Sequence, residues 1–191
     1  MNKFIIKFTF IFIWLLFTKT AYAGPNADAG CSLDADYTTY SYENHISKTD
    51  IETNITAYNN NKIYVAIVAQ NISNLDTYQV VILYDDNSLQ FIGGYEEIPF
   101  SGIVNILKSN NGQTIGFQAV QNKPGVICIA NSLTGKEINE APDKSGILGV
   151  IGFKIIGESA SKITLKDVFF VDSNGNKDRI VNLNDVKVNE E

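Results

Sequence analysis

The sequence predicts an all-β protein of the sandwich or jelly-roll class. From residue 51 onward, nine short segments rich in β-branched and aromatic residues follow one another. Clusters of turn-forming residues separate them, and no stretch of twelve residues carries a helical period. Many short strands at regular spacing argue for a sandwich or jelly roll.

The first segments are "IETNITAY" (51–58), "KIYVAIVAQNI" (62–72), "TYQVVILYD" (77–85) and "SLQFIGGY" (88–95). The turns "NNNK" and "DDNS" lie among them. "TIGFQAVQ" (114–121) and "GVICIANSL" (125–133) flank "NKPG", and "GILGVIGFKIIG" (146–157) follows "DKSG". "SKITLKDVFFV" (161–171) and "RIVNLNDVKV" (179–188) close the series across "DSNGN". Side chains alternate along a strand, so each segment splits into two rows. In residues 78–84 the row Tyr78, Val80, Ile82 and Tyr84 opposes Thr77, Gln79, Val81 and Leu83. In residues 147–155 the set Ile147, Ile151, Phe153 and Ile155 suits a core, against Leu148, Val150, Gly152 and Lys154. Both strands are apolar on both rows where one solvated face would be polar. Two causes remain open: burial of the second face beneath a loop or the N-terminal segment, or a flat face awaiting a partner.

The N-terminus carries a different pattern. Lys3 and Lys7 precede the apolar run "FTFIFIWLLF" (8–17), and "AYA" (21–23) is a small-x-small cleavage site. This is the three-part pattern of a secretory signal peptide, with an apolar core of about ten residues against the roughly twenty of a membrane span. The expected organisation is a signal peptide over 1–23, an irregular polar lead-in over 24–49, and one sandwich domain over 50–191. Within the lead-in, residues 37–42 offer one early edge strand. The expected location is extracellular, at the cell surface or periplasmic, with no membrane attachment after cleavage.

The whole chain of 191 residues has a formal net charge of −6. Without residues 1–23, 168 residues remain with 12 basic and 21 acidic side chains, a net of −9. An acidic surface of this kind provides no footprint for nucleic acid or anionic lipid. Catalytic signatures are equally thin. His45 is the single histidine and sits in the polar lead-in. There is no Gly-x-Ser-x-Gly elbow, no phosphate-cradling glycine loop, and no cysteine–histidine metal spacing. The carboxylate pairs Asp85/Asp86 and Glu96/Glu97 fit solvated turns, because adjacent strand residues point to opposite faces. The expectation is a non-enzyme with no cofactor. Cys31 and Cys128 are the only cysteines. In an exported chain they are candidates for a disulfide, the alternative being two unrelated thiols.

Two stretches carry a resemblance. "TYQVVILYDDNSLQFIGGYEE" (77–97) resembles the cohesin pattern of a core strand, Tyr-Asp, a short turn and Leu-x-Phe/Tyr. "SGILGVIGFKIIGESASKITLKDVFFVDSNGN" (145–176) is similar to the second cohesin hallmark, a glycine-rich strand ending in Phe-Lys-Val, then a Gly-Ser turn and a strand closing in Asp-Ser-Asn-Gly-Asn. "ITAYNNNKIYVAIVAQNISNLDTY" (55–78) fits the family's opening strands, so the resemblance covers roughly 50–188. It implies a nine-stranded jelly-roll sandwich that binds a dockerin-type module through one flat sheet face, assembling polysaccharide-degrading or cell-surface complexes. By position, Thr77 and Gln79 match a strand where the family often places an Asn and an Asp against the partner; both residue types differ here. Val81, Leu83, Leu148 and Val150 are expected on the same face. The alternatives are a carbohydrate-binding module of the same superfamily, for which Tyr37, Tyr40 and Tyr42 are the aromatic strip, and a self-associating surface protein.

One oxygen-rich run needs separate weighing. Asp172, Asn174, Asn176 and Asp178 occupy positions 1, 3, 5 and 7 of a calcium-loop register. Yet Lys177 stands at the glycine position and Leu183 where a bidentate acid belongs; starting at Asn174 instead puts Arg179 at the glycine position. The flanking helices and second copy of a dockerin are also missing. The run reads as a turn between strands, with Asn-Gly suited to positive φ, and as a weak calcium candidate.

Overall fold

A computed structural model describes residues 24–36, 51–97, 104–134, 141–157 and 159–190. The signal-peptide pattern, His45 and the Tyr37, Tyr40 and Tyr42 strip lie outside the described residues. The strands are β1 (Gly30–Asp34), β2 (Asn54–Ile55), β3 (Lys62–Ile72), β4 (Leu75–Tyr84), β5 (Leu89–Tyr95) and β6 (Gln118–Lys123). They continue as β7 (Val126–Ser132), β8 (Lys144–Ile155), β9 (Ser161–Asp172), β10 (Lys177–Ile180), β11 (Asn182–Asn184) and β12 (Val186–Val188).

They form two mixed sheets packed as a sandwich. The first runs β11-β1-β3-β8-β5; the second runs β2-β12-β9-β4-β7-β6, with β10 added to the edge of β9. The period-2 pattern decides which residues meet between them. On β3, Ile63, Val65, Ile67 and Ala69 enter the central core, while Ala66 and Val68 lie on the opposite side. From the second sheet, Tyr78, Val80, Ile82 and Tyr84 of β4 and Val168 and Phe170 of β9 face them. The expected inward row of β4 is therefore the observed one. Counting the eight strands of five residues or more, and taking β11 and β12 as one split strand, gives the jelly roll of nine. The segment 179–188 predicted as one strand divides because β11 pairs with β1 in the first sheet and β12 with β9 in the second.

Two expectations are corrected. The segment 24–49 is not irregular throughout: β1 lies inside the first sheet, antiparallel to β3 and parallel to β11. Its polar residues hid it. Ser32 is fully buried, and its hydroxyl donates to Gln70 Oε1 at 2.7 Å while accepting from Asn184 Nδ2 at 2.8 Å. Asp34, also fully buried, accepts the Asp36 and Glu52 amides. Satisfied in this way, polar side chains occupy a buried strand without loss. The second correction is on β8. The ladder with β3 passes from Ile67↔Gly149 to Val68↔Ile147, skipping Leu148. Ile151, Phe153 and Ile155 enter the core as expected, but ahead of the bulge the phase changes, so Leu148 joins them and Ile147 joins Val150 on the other side.

Candidate binding face

The two outer faces of the sandwich differ. On the first sheet, Ala66, Val68, Ile147 and Val150 are at most 2% exposed, and Ile51 packs against them. That part of the face is covered. On the second sheet the outward rows stay accessible across five strands, β10-β9-β4-β7-β6. Register places Val120, Cys128, Val81 and Asp167 in one row. Gln118, Ala130, Gln79, Phe169 and Arg179 form the next. Ser132, Thr77, Val171 and Lys177 form a third. At about 4.8 Å between strands the face is roughly 19 Å wide.

Thr77, Gln79, Val81 and Leu83 therefore share one outward row, as expected. Leu148 and Val150 do not join them. Both belong to the other sheet, both are fully buried, and the bulge sends Leu148 into the core. The two strands that looked apolar on both sides thus have different causes: β8 is covered, and β4 is open.

The open face is apolar along the Val81 row and beyond it at Leu83 and Val126, and largely polar along the Gln79 and Thr77 rows. Val81, Leu83, Val126 and Cys128 are half-buried, whereas Val120 is 49% exposed. The Thr77 hydroxyl donates to Asp76 at 2.7 Å and bonds Ser132 at 2.7 Å, so it is already engaged. Gln79 is exposed. Along the β10 edge, Lys177 sits 4.0 Å over the Phe169 ring and Arg179 pairs with Asp167 at 2.8 Å. These contacts fix two cations beside the apolar rows. Phe169, Val171 and Val120 escaped the sequence reading, although the alternation applied to β4 would have found Phe169 and Val171 on β9.

The remaining candidates resolve differently. Cys31 points into the core from the first sheet, whereas Cys128 stands on the outward row of the second. A sheet lies between them, and both are free thiols; the disulfide expectation is overturned. Burial pushes the Cys31 thiol far above its ordinary pKa. The run Asp172–Asp178 spans the end of β9, the hairpin turn and the start of β10, with Gly175 in the turn at φ +84°. Asp172 accepts the Asn174 and Asn176 amides on Oδ1 and the Asn176 side chain on Oδ2. Burial alone would raise its pKa, but these hydrogen bonds prevail and hold the carboxyl below its usual range. Asp178 turns away to accept from Gly24 and Asn26. The two carboxylates do not converge, and among the described residues no group of three acidic, cysteine or histidine side chains is placed to hold a metal.

The acidic pairs are structural as well. Asp85 caps its turn by accepting from Asn87 and Ser88. Glu96 accepts from Thr114 and Asn131, each at 2.7 Å, and pairs with Lys108 at 3.2 Å; Glu97 takes the same lysine at 2.6 Å. Burial works against the charge of Glu96, yet the bonds from Thr114, Asn131 and Lys108 depress its pKa.

No family model matches the chain, and no curated protein matches it. Solved structures do. The chain is similar to the sixth cohesin of scaffoldin B from Acetivibrio cellulolyticus, solved in complex with a Cel5 dockerin mutant. That match has a TM-score of 0.59 and 15% identity over 85% of this chain and 99% of that one. The second type II cohesin module of the adaptor ScaA scaffoldin from the same organism matches at TM-score 0.59 and 20% identity, over 85% of this chain and 91% of that one. A non-cellulosomal cohesin from the hyperthermophilic archaeon Archaeoglobus fulgidus matches at TM-score 0.55 and 12% identity, over 84% and 88%. At such identities the likeness establishes architecture: this chain has the jelly-roll sandwich of the cohesins.

Proposed function

We propose that the protein is an exported, non-catalytic binding module that docks a dockerin-like partner on the outer face of its second sheet. The observation that carries this reading is the contrast between the two faces. The first is buried at Ala66, Val68, Ile147 and Val150, and the second presents Val81, Leu83, Val120 and Cys128 to the surface beside polar rows. A width of roughly 19 Å accommodates two α-helices of about 10 Å side by side, the form a helical docking module would present. Apolar side chains bordered by polar ones suit a specific interface. Solved cohesins of this fold in complex with dockerins support the same partner class. Assembly of extracellular polysaccharide-degrading or cell-surface complexes is the role that follows. Export itself rests on the N-terminal sequence pattern.

The test is affinity capture from the source organism's secreted proteins, with and without insoluble cellulose. Capture of proteins carrying duplicated calcium loops, lost on Val81→Arg, is the expected result. Retention on bare cellulose would favour the carbohydrate-binding alternative. Concentration-dependent dimerisation abolished by Val81→Arg would favour self-association. Capture unaffected by Val81→Arg would remove this face from the reading.

A further inference from the structure

The carboxylate of Asp178 is buried, its residue being only 8% exposed, and among the described residues no lysine or arginine pairs with it. What it does hold is the start of the β1 segment. Asp178 Oδ1 accepts from the Gly24 nitrogen at 2.9 Å, and Oδ2 accepts from the Asn26 nitrogen at 2.9 Å. The segment is fixed on its other side too. Asn26 is fully buried, its side chain donating to the Ser73 carbonyl at 3.0 Å and accepting the Ser73 amide at 2.8 Å. The Ala27 amide closes a turn onto the Gly24 carbonyl at 3.1 Å. A Cβ on Gly24 would meet the Asp178 carboxylate, which would have to shift to keep its bond to the Gly24 nitrogen.

Gly24 is also the residue that follows the "AYA" processing pattern at 21–23. We infer that the amino terminus released by cleavage between Ala23 and Gly24 is a built part of the sandwich, its α-ammonium group forming an ion pair with Asp178. The inference rests on the export reading and goes beyond it. Cleavage hydrolyses the Ala23–Gly24 peptide bond: water supplies the hydroxyl to the Ala23 carboxylate, and the Gly24 nitrogen becomes an amine that is protonated at neutral pH. The buried carboxylate then gains a counter-charge that no described lysine or arginine supplies. A hydrogen bond between two charged groups is shorter and stronger than the neutral amide contact it replaces, and a buried charge is costly when left unpaired. Processing thereby tightens the junction between β1 of the first sheet and β10 of the second.

The test uses the full chain, exported with residues 1–23 in place. Mass spectrometry of the secreted product is expected to read Gly24 as the first residue. Any other start overturns the processing reading and this inference together. With Gly24 at the terminus, its amine is expected to acetylate about tenfold more slowly in the folded protein than in urea. Equal rates overturn the ion pair and leave processing standing. A chain with a Gly-Ser pair inserted between Ala23 and Gly24 is expected to melt on the order of 4 °C lower. That difference should vanish in an Asp178→Asn background. An equal drop in both backgrounds overturns the inference, and should Asp178→Asn fail to fold, the acetylation rates decide alone.

Discussion

The phenolic hydroxyl of Tyr78 donates to the carbonyl of Leu148, a bond that crosses the sandwich from β4 in the second sheet to β8 in the first. The bulge explains why that carbonyl is available: Leu148 is the residue the β3–β8 ladder skips. Asn105, fully buried, completes the arrangement by donating its side-chain amide to both Tyr78 Oη and the Leu148 carbonyl. Its own Oδ1 caps the 3-10 turn Ile106–Lys108 by accepting the Leu107 amide at 2.9 Å. Burial raises the Tyr78 pKa well above its ordinary value, which keeps the hydroxyl protonated and donating.

Removing one member of this network should cost unequal amounts. Tyr78→Phe leaves Asn105 still bonded to the Leu148 carbonyl, so the loss is about 1 kcal/mol. Asn105→Ala strips the carbonyl of its second donor and uncaps the turn, for a loss of about 2–3 kcal/mol. Urea unfolding monitored by tyrosine fluorescence would measure both. A Tyr78→Phe loss larger than that of Asn105→Ala would refute this ordering.

Acid should weaken the fold through Glu96 and Asp172. Both folded-state pKa values are depressed, so each carboxylate adds stability above its unfolded value of about 4 and loses it as pH falls through the folded one. The melting midpoint is expected to fall below about pH 4.5 and to respond less to pH in Glu96→Gln and Asp172→Asn. A midpoint insensitive to pH down to 3 would contradict it.

How much of this was legible beforehand depends on whether side-chain type and backbone environment agree. Tyr78, Val80, Ile82 and Tyr84 are apolar and buried, so alternation read β4 without error. β1 fails that test because Ser32 and Asp34 are buried through specific bonds, and no local pattern announces a partner such as Gln70. On β8 only Ile147 and Leu148 exchanged rows, because a bulge changes phase within a uniformly apolar run where the two are interchangeable to the eye. Sheet membership followed from long-range pairing, and so the distance between Val81 and Leu148 lay beyond any reading of single strands.

The two thiols should react on different clocks. Cys128 stands on the accessible face with Asn122 Nδ2 at 3.0 Å from its sulfur, while Cys31 is fully buried with its thiolate disfavoured. One thiol per chain is expected to label under native conditions and two in denaturant. Zero native thiols in the non-reduced protein, rising to two after reduction, would reinstate the disulfide.

Calcium should leave the hairpin indifferent. Asp172 spends its oxygens on the Asn174 and Asn176 donors, and Asp178 spends its own on Gly24 and Asn26, so a cation would have to displace bonds that already satisfy both groups. Chelator is expected to move the melting midpoint by less than about 1 °C. A stabilisation that grows with calcium and disappears in Asp172→Asn would show a site here.

Stability and recognition should separate between Leu148 and the open face. Leu148 is a core residue, and Leu148→Ala is expected to cost about 2–5 kcal/mol while leaving the affinity of the folded protein unchanged. Gln79 and Val120 are exposed on adjacent rows of the second sheet. Gln79→Arg and Val120→Arg should alter stability by less than about 0.5 kcal/mol. Each nevertheless places an unmatched charge where the partner must exclude water, and should weaken binding by about 30-fold. Paired denaturation and calorimetric titration would measure the two effects side by side. Arginine variants that bind as tightly as the parent would move the interface off this sheet, whatever Leu148→Ala does to the fold.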